Sequence, residues 1–222
     1  MELFLDTADA QAVKELSETL TIAGVTTNPT IITRSGKTLE RVIDEMCKTL
    51  APSQKSFFQV IATDFDGILE ETRRICALRE NAYAKIPVTP VGLKAIKAAK
   101  AEGLNVLATA IYSADQAFLA AMNGADYLAP YVNRMCNYGD GVGQVADLVN
   151  MLATNGLPSK ICAASFKNTE QVHDVICVGA QSVTVAPDIV WTMVKHPGTG
   201  IAVDEFNAAW ENSFGRRTMF GE

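Results

Sequence analysis

The chain has 222 residues, 48% hydrophobic and 20% charged, enough for one large or two small globular domains with a sizeable core. Its formal net charge is -6 and it holds no Lys/Arg block, which argues against nucleic acid and anionic membrane as partners. No apolar run is long enough to span a bilayer, and the opening MELFLDTAD places acids among the first apolar residues, unlike a secretory leader.

Five cysteines are present (Cys47, Cys76, Cys136, Cys162 and Cys177), an odd number with no CxxC pair. This pattern predicts free thiols, mostly buried, in a reducing cytoplasm. The two histidines, His173 and His196, fall in helical patterns and leave no donors for a multi-histidine zinc site. No acidic cluster suggests a carboxylate-bound magnesium.

Along the chain, apolar strands alternate with amphipathic helices. LFLDT leads to a helix through Val13, Leu16 and Leu20. AGVTTNP leads to the stripe Leu39, Val42, Ile43, Met46 and Leu50. FFQVIAT precedes Ile68, Leu69, Thr72, Ile75 and Cys76, and AYAKIP precedes Leu93 and Ile96, with a stop at Gly103. NVLATAI precedes a capping box, SADQ, with Ser113 as cap and Gln116 reaching back, and that helix stops at Gly124. DYLAPYV precedes Val145, Leu148, Val149 and Leu152, with a stop at Gly156. KICAAS precedes Val172, Val175 and Ile176, with a stop at Gly179. SVTVAP precedes Ile189, Val190 and Met193.

Eight strand–helix units without a composition break predict parallel strands joined by crossovers. In a chain of this length they predict a single α/β domain over residues 1–222, a closed (β/α)8 TIM barrel. The alternative is an open doubly wound sheet, but its usual glycine-rich first turn is missing from DTADAQ. A further C-terminal helix is expected over residues 199–215. Its Phe206, Trp210 and Phe214 lie four apart on one face and need a surface to cover, on the barrel or on a neighbouring subunit.

In such a barrel, catalytic groups stand at the carboxyl ends of the strands. Read there in order, the sequence offers Asp6, then Thr26 and Asn28, then Gln59, Lys85 and Thr109, then Tyr131 with Arg134, then Ser165 with Lys167. Seven consecutive strands thus deliver polar side chains to one rim, which stability alone does not require. Lys85 stands out because a charge within the strand AYAKIP is costly unless it points to water or serves a purpose. Desolvation and nearby cations lower an amine's pKa, and a neutral amine attacks carbonyls to form a Schiff base.

Each residue also has an ordinary role open to it. Lys85 could face solvent. Asp6 could cap the first helix, Thr26 and Asn28 could form a turn before Pro29, and Ser165 could cap the helix after the seventh strand. Gln59, Thr109 and Tyr131 could be barrel packing, and Arg134 a solvated loop residue. The common rim is what favours a site.

The stretches LFLDTAD, AGVTTNPTII, AKIPVTPVGLKAI, APYVNR and AASFKN resemble the transaldolase family, from Met1 to about Phe214. The short length and last helix resemble its small subclass containing fructose-6-phosphate aldolase. The resemblance implies a cytoplasmic class I enzyme acting on a sugar phosphate, with no metal or organic cofactor. It implies Lys85 as the Schiff-base lysine, with Asp6 binding hydroxyls and supporting proton transfer. Thr26 and Asn28 would contact substrate, and Arg134 and Ser165 would hold phosphate, with Lys167 assisting. Transaldolases proper carry glutamate at the position of Gln59 and typically phenylalanine at that of Tyr131, so this pair matches the aldolase pattern. Tyr131 would then be the acid/base, acting through a water held by Gln59 and Thr109. The resemblance further implies a homo-oligomer, a decamer of two stacked pentamers with the last helix on a neighbour. Two other readings stay open: a transaldolase with the same lysine, and a catalytically idle sugar-phosphate-binding scaffold.

Overall fold

A computed structural model describes residues 1–220. Eight parallel strands close into a barrel in chain order, with β1 (Glu2–Asp6) pairing both β2 (Gly24–Thr26) and β8 (Ser182–Val185). Between them run β3 (Lys55–Gln59), β4 (Ala82–Pro87), β5 (Val106–Ile111), β6 (Tyr127–Pro130) and β7 (Lys160–Ala163). Each lies within or within two residues of the apolar run that predicted it. The strands are buried on both faces, which is why they read as near-continuous apolar runs.

The outer layer holds α1 (Ala10–Thr19), α3 (Leu39–Thr49), α4 (Phe65–Cys76), α5 (Pro90–Ala101), α6 (Ala114–Met122), α8 (Gly141–Thr154), α9 (Thr169–Cys177) and α10 (Pro187–Val194). Two short helices were not expected: α2 (Pro29–Arg34) directly after β2, and α7 (Val132–Cys136) directly after β6. Both sit at the carboxyl ends of strands and carry rim residues. The last helix, α11, spans Pro197–Phe214, begins two residues earlier than expected, and contains no buried residue.

Side chains alternate between two cores. Outward-facing Leu5, Val25, Phe58, Ala84, Ile86, Ala108, Leu128, Ile161 and Val183 pack against the helices. Inward-facing Phe4, Phe57, Leu107, Tyr127 and Cys162 fill the barrel, with Tyr83 packed against them. Phe4 and Phe57 meet edge to face at 5.1 Å, a favoured aromatic arrangement. Below this layer the Glu2 carboxylate accepts from Lys55 Nζ (2.9 Å), the Tyr127 hydroxyl (2.9 Å) and Lys160 Nζ (3.1 Å), closing the barrel floor with a satisfied polar cluster. The interior between this cluster and the rim is therefore packed.

Local chemistry fixes several ends. Gly24 lies where β2 presses on β3: a Cβ there would meet the Lys55 carbonyl oxygen at 2.0 Å. Gly156 follows α8 at φ +62, a left-handed turn that favours glycine. Ser113 caps α6 as expected, but Gln116 reaches past it to the Tyr112 N–H at 2.8 Å. His196 is not inside a helix: Pro197 opens α11, and His196 Nδ1 caps it by accepting from the Gly198 N–H at 3.2 Å. All five cysteines are free. The expectation that most are buried fails: only Cys162 is, Cys47 and Cys76 are half-buried, and Cys136 and Cys177 lie exposed at helix ends. Burial pushes the Cys162 thiol up to about 12, so it serves as a small apolar filler. Among the described residues, no helix is long and apolar enough to cross a membrane.

Candidate active site

A cavity of about 410 Å³ opens at the carboxyl ends of the strands. Of the residues expected at the rim, Asp6, Asn28, Gln59, Lys85, Tyr131, Arg134 and Ser165 all line it. Lys85 is only 3% exposed, so it points inward and not to solvent. Its place in β4 follows from the alternation: Ala84 and Ile86 face the helices, leaving Lys85 to face the barrel axis. Gln59 stands beside it in register on β3. The Lys85 ammonium donates to the Thr27 carbonyl oxygen at 2.9 Å, which holds the side chain across the mouth toward β2.

Asp6, at the end of β1, closes a second side. It does not cap α1, because Asp9 does so by accepting from the N–H groups of Gln11 and Ala12. Asp6 instead accepts from the Thr26 hydroxyl at 2.7 Å. Thr26 has one proton and gives it to Asp6, so the contact of 2.6 Å between the Thr26 and Thr184 hydroxyls must have Thr184 as donor. Burial raises the Asp6 carboxyl above its ordinary range and outweighs the charge of Lys85 and the Thr26 hydrogen bond. Thr26 is fully buried, behind Asp6 and off the cavity surface.

On the third side, the Thr109 and Tyr131 hydroxyls lie 3.1 Å apart. Thr109 is buried and backs Tyr131 as Thr26 backs Asp6. The β5–β6 register shifts between Ala108 and Ile111, and Ala110 takes φ 55, the left-handed region. This bulge turns Thr109 and Ala110, consecutive residues, both inward: Ala110 joins the cavity wall while Ile111 returns to the outer core.

Arg134, on α7, completes the wall. Its guanidinium lies 5.0 Å from the Tyr131 ring centre, and one nitrogen donates to the Tyr112 hydroxyl at 3.0 Å. That hydrogen bond raises the arginine's pKa still further above neutrality. Ser165 follows β7 at φ 62, a second non-glycine residue in the left-handed region. It does not cap α9, a role Asn168 takes. Asn28 caps α2, accepting from the Ile31 N–H at 3.0 Å, and lines the cavity as well. Lys167 is not among the lining residues.

Sequence reasoning missed Thr184, Tyr112, Ala110 and Arg34, the last lining the cavity from the end of α2. Thr184 looks like an ordinary β-branched residue in SVTV, although its position in the eighth strand matches the polar pattern of the other seven. Chemically, the arrangement offers a buried primary amine, a carboxyl of raised pKa, a paired phenol and an anion-binding guanidinium around one small cavity. Those are the parts for carbonyl addition and proton transfer on a small anionic molecule.

Among solved structures, the chain resembles a mandelate oxidase variant crystallised with 4-Br-2-hydroxy-methylphenylacetate, with a TM-score of 0.58 at 15% identity. The likeness covers 83% of this chain and 61% of the oxidase, and at that identity it speaks to the barrel fold alone. The model of one family, Transaldolase/Fructose-6-phosphate aldolase, matches residues 3–219. With Lys85, Asp6, Gln59, Tyr131, Arg134 and Ser165 gathered around one cavity and the family model spanning nearly the whole length, this chain belongs to the transaldolase/fructose-6-phosphate aldolase family.

Proposed function

We propose that this chain is a class I aldolase that reversibly cleaves fructose 6-phosphate to dihydroxyacetone and glyceraldehyde 3-phosphate. The observation that carries the reading is Lys85, 3% exposed, aimed into a cavity that also holds Asp6, Gln59 and Tyr131. Binding alone does not need an amine buried at a cost, which weighs against an idle scaffold.

In this reading the Lys85 amine adds to C2 of the open-chain ketose and water leaves, giving an iminium. A base removes the C4 hydroxyl proton and the C3–C4 bond breaks. Its electron pair passes to the iminium nitrogen, forming an enamine and releasing glyceraldehyde 3-phosphate. Protonation at C3 regenerates the iminium, and water hydrolyses it to dihydroxyacetone and free Lys85. Tyr131 is the acid/base, with Thr109 behind it and Gln59 able to donate to and accept from a bridging water. Asp6 orients hydroxyls, and its raised pKa suits it to share proton transfer. Arg134 and Ser165 take the phosphate.

Transaldolase activity is the second reading, favoured by the same lysine and family. The two divide on the enamine, which waits for an acceptor aldehyde in a transferase and is protonated in an aldolase. The Tyr131 phenol can deliver that proton. The test supplies fructose 6-phosphate alone and, separately, with erythrose 4-phosphate. Free dihydroxyacetone should form readily without acceptor, and transfer should be slow; faster transfer than release would make the chain a transaldolase.

A homo-oligomer belongs to the same proposal. α11 buries none of its residues, and Phe206 is 69% exposed. An amphipathic helix gains its stability from the surface it covers, and a second copy of this chain is the occupant we propose.

A further inference from the structure

Thr184 is 2% exposed and does not line the cavity, yet its hydroxyl lies 2.6 Å from that of Thr26, which in turn donates to Asp6 Oδ1 at 2.7 Å. Val183 and Val185 face the helices, so Thr184 between them faces the barrel interior, as Thr26 does beside Val25. Side chains from alternate strands share a layer in an eight-stranded barrel, which lets β8 and β2 touch across β1. The three groups form one chain, from Thr184 through Thr26 to Asp6.

The chain has a direction. Each hydroxyl has one proton, and Thr26 spends its own on Asp6 while accepting that of Thr184. In the opposite direction Asp6 would lose its hydrogen bond from Thr26, and the Thr184 proton would lose the one partner it has among the described residues. A hydroxyl that accepts one hydrogen bond donates a stronger one, so Thr184 strengthens the bond that Asp6 receives. At Asp6 that bond works against burial, which favours the neutral acid. Asp6 Oδ2 has no hydrogen-bond partner among the described residues, and the carboxyl lines the cavity.

We propose that Thr184 is a positioning residue that acts on Asp6 through Thr26. It keeps the Thr26 proton on Oδ1, so the carboxylate holds one orientation and presents Oδ2 to the substrate hydroxyl whose proton it takes. On that transfer Oδ2 gains the proton, the carboxyl becomes neutral, and the Thr26 bond to Oδ1 stays in place. This rests on the reading in which Asp6 shares proton transfer, and it adds a residue from the eighth strand, where the sequence offered no site residue.

The titratable and charged groups facing Asp6 are Lys85 on β4, Tyr131 after β6, Cys162 on β7, Arg34 on α2 and Arg134 on α7, and the test leaves all of them in place. Protonation of Asp6 in the full chain is followed by the infrared absorption of its neutral carboxyl across a pH series, taken as the difference from Asp6→Asn. Thr184→Val keeps the side-chain shape and removes the hydroxyl. Asp6 should then hold its proton about threefold more tightly, with a midpoint about half a pH unit higher, as expected when a hydrogen bond to the charged form weakens. Thr184→Ser should restore the original midpoint, and in a Thr26→Val background Thr184→Val should move it no further. An unmoved midpoint in Thr184→Val, no rescue by Thr184→Ser, or an equal shift in the Thr26→Val background would each overturn the assignment. This titration uses no substrate, so it is independent of whether the enzyme releases or transfers its ketone. The acid limb of kcat for dihydroxyacetone release should move with the infrared midpoint; a limb that stays fixed while the midpoint moves would overturn the part of Asp6 in proton transfer, on which the proposal rests.

Discussion

The hydroxyls of Thr109 and Tyr131 lie 3.1 Å apart, one from β5 and the other at the end of β6. A phenol held this way keeps its orientation through the catalytic cycle, which a proton donor to the enamine must do. Thr109→Val removes the partner without changing side-chain volume. Release of dihydroxyacetone should fall about tenfold, the loss of one hydrogen bond of about 1.4 kcal/mol. Tyr131→Phe should fall further, by about a hundredfold, the low end of what a general acid contributes. Combined with Gln59→Glu, it should shift the product ratio toward transfer. Coupled assays for free dihydroxyacetone and for the transferred product check both; an undiminished rate in Thr109→Val would show that Tyr131 needs no support from it.

Burial raises the Asp6 pKa above its ordinary value of 3.8. Between that value and the raised one, the folded chain binds more protons at this position than the unfolded chain does. The Asp6 contribution to stability is therefore present at acid pH and declines as pH rises through this window. Asp6→Asn removes the ionisation while its amide oxygen can still accept from Thr26. Its melting temperature should match the unmodified protein below pH 3.8 and exceed it at neutral pH, with turnover about a hundredfold lower. A melting-temperature difference that is constant with pH would show that Asp6 titrates normally.

Arg134 can meet a phosphate with two charge-assisted hydrogen bonds. Arg134→Ala should raise KM for glyceraldehyde 3-phosphate about 10- to 100-fold and leave unphosphorylated aldehydes nearly unaffected. Tyr112→Phe removes only the hydrogen bond of 3.0 Å that steadies the guanidinium, and its effect on the same KM should be about threefold. Equal losses for both classes of aldehyde in Arg134→Ala would make Arg134 a structural residue.

The barrel was legible in the sequence because parallel strands buried on both faces read as short apolar runs, some ended by Pro, as AYAKIP and SVTVAP are. Lys85 was legible as a charge where none is tolerated without cause. Helices α2 and α7 were not, since six and five residues are too few to show a stripe. Arg34 lies on one of these, so nothing in its neighbours marked it as facing the cavity. The turn of Ala110 into the left-handed region is equally silent, because alanine, unlike glycine or asparagine, carries no preference for it. The backing roles of Thr26 and Thr109 depend on which neighbours are fully buried, which strand alternation alone does not rank.

The exposed face of α11 leads to a size measurement. Trp210 and Phe214 lie 4.5 Å apart, ring centre to ring centre, and Phe206 and Phe214 remain largely exposed. Ending the chain before Asp204 should produce a smaller or aggregating species by light scattering, with a lower melting temperature. Unchanged mass per particle and unchanged melting temperature would place the helix outside any subunit contact.

The most direct measurement is reductive trapping at Lys85. The protein is incubated with dihydroxyacetone, reduced with borohydride, digested, and mapped by mass spectrometry. One stable secondary-amine adduct on Lys85 is expected, in the presence or absence of EDTA, and none in Lys85→Arg, which should also lose turnover. An adduct on another lysine, or turnover that survives Lys85→Arg, would contradict that expectation.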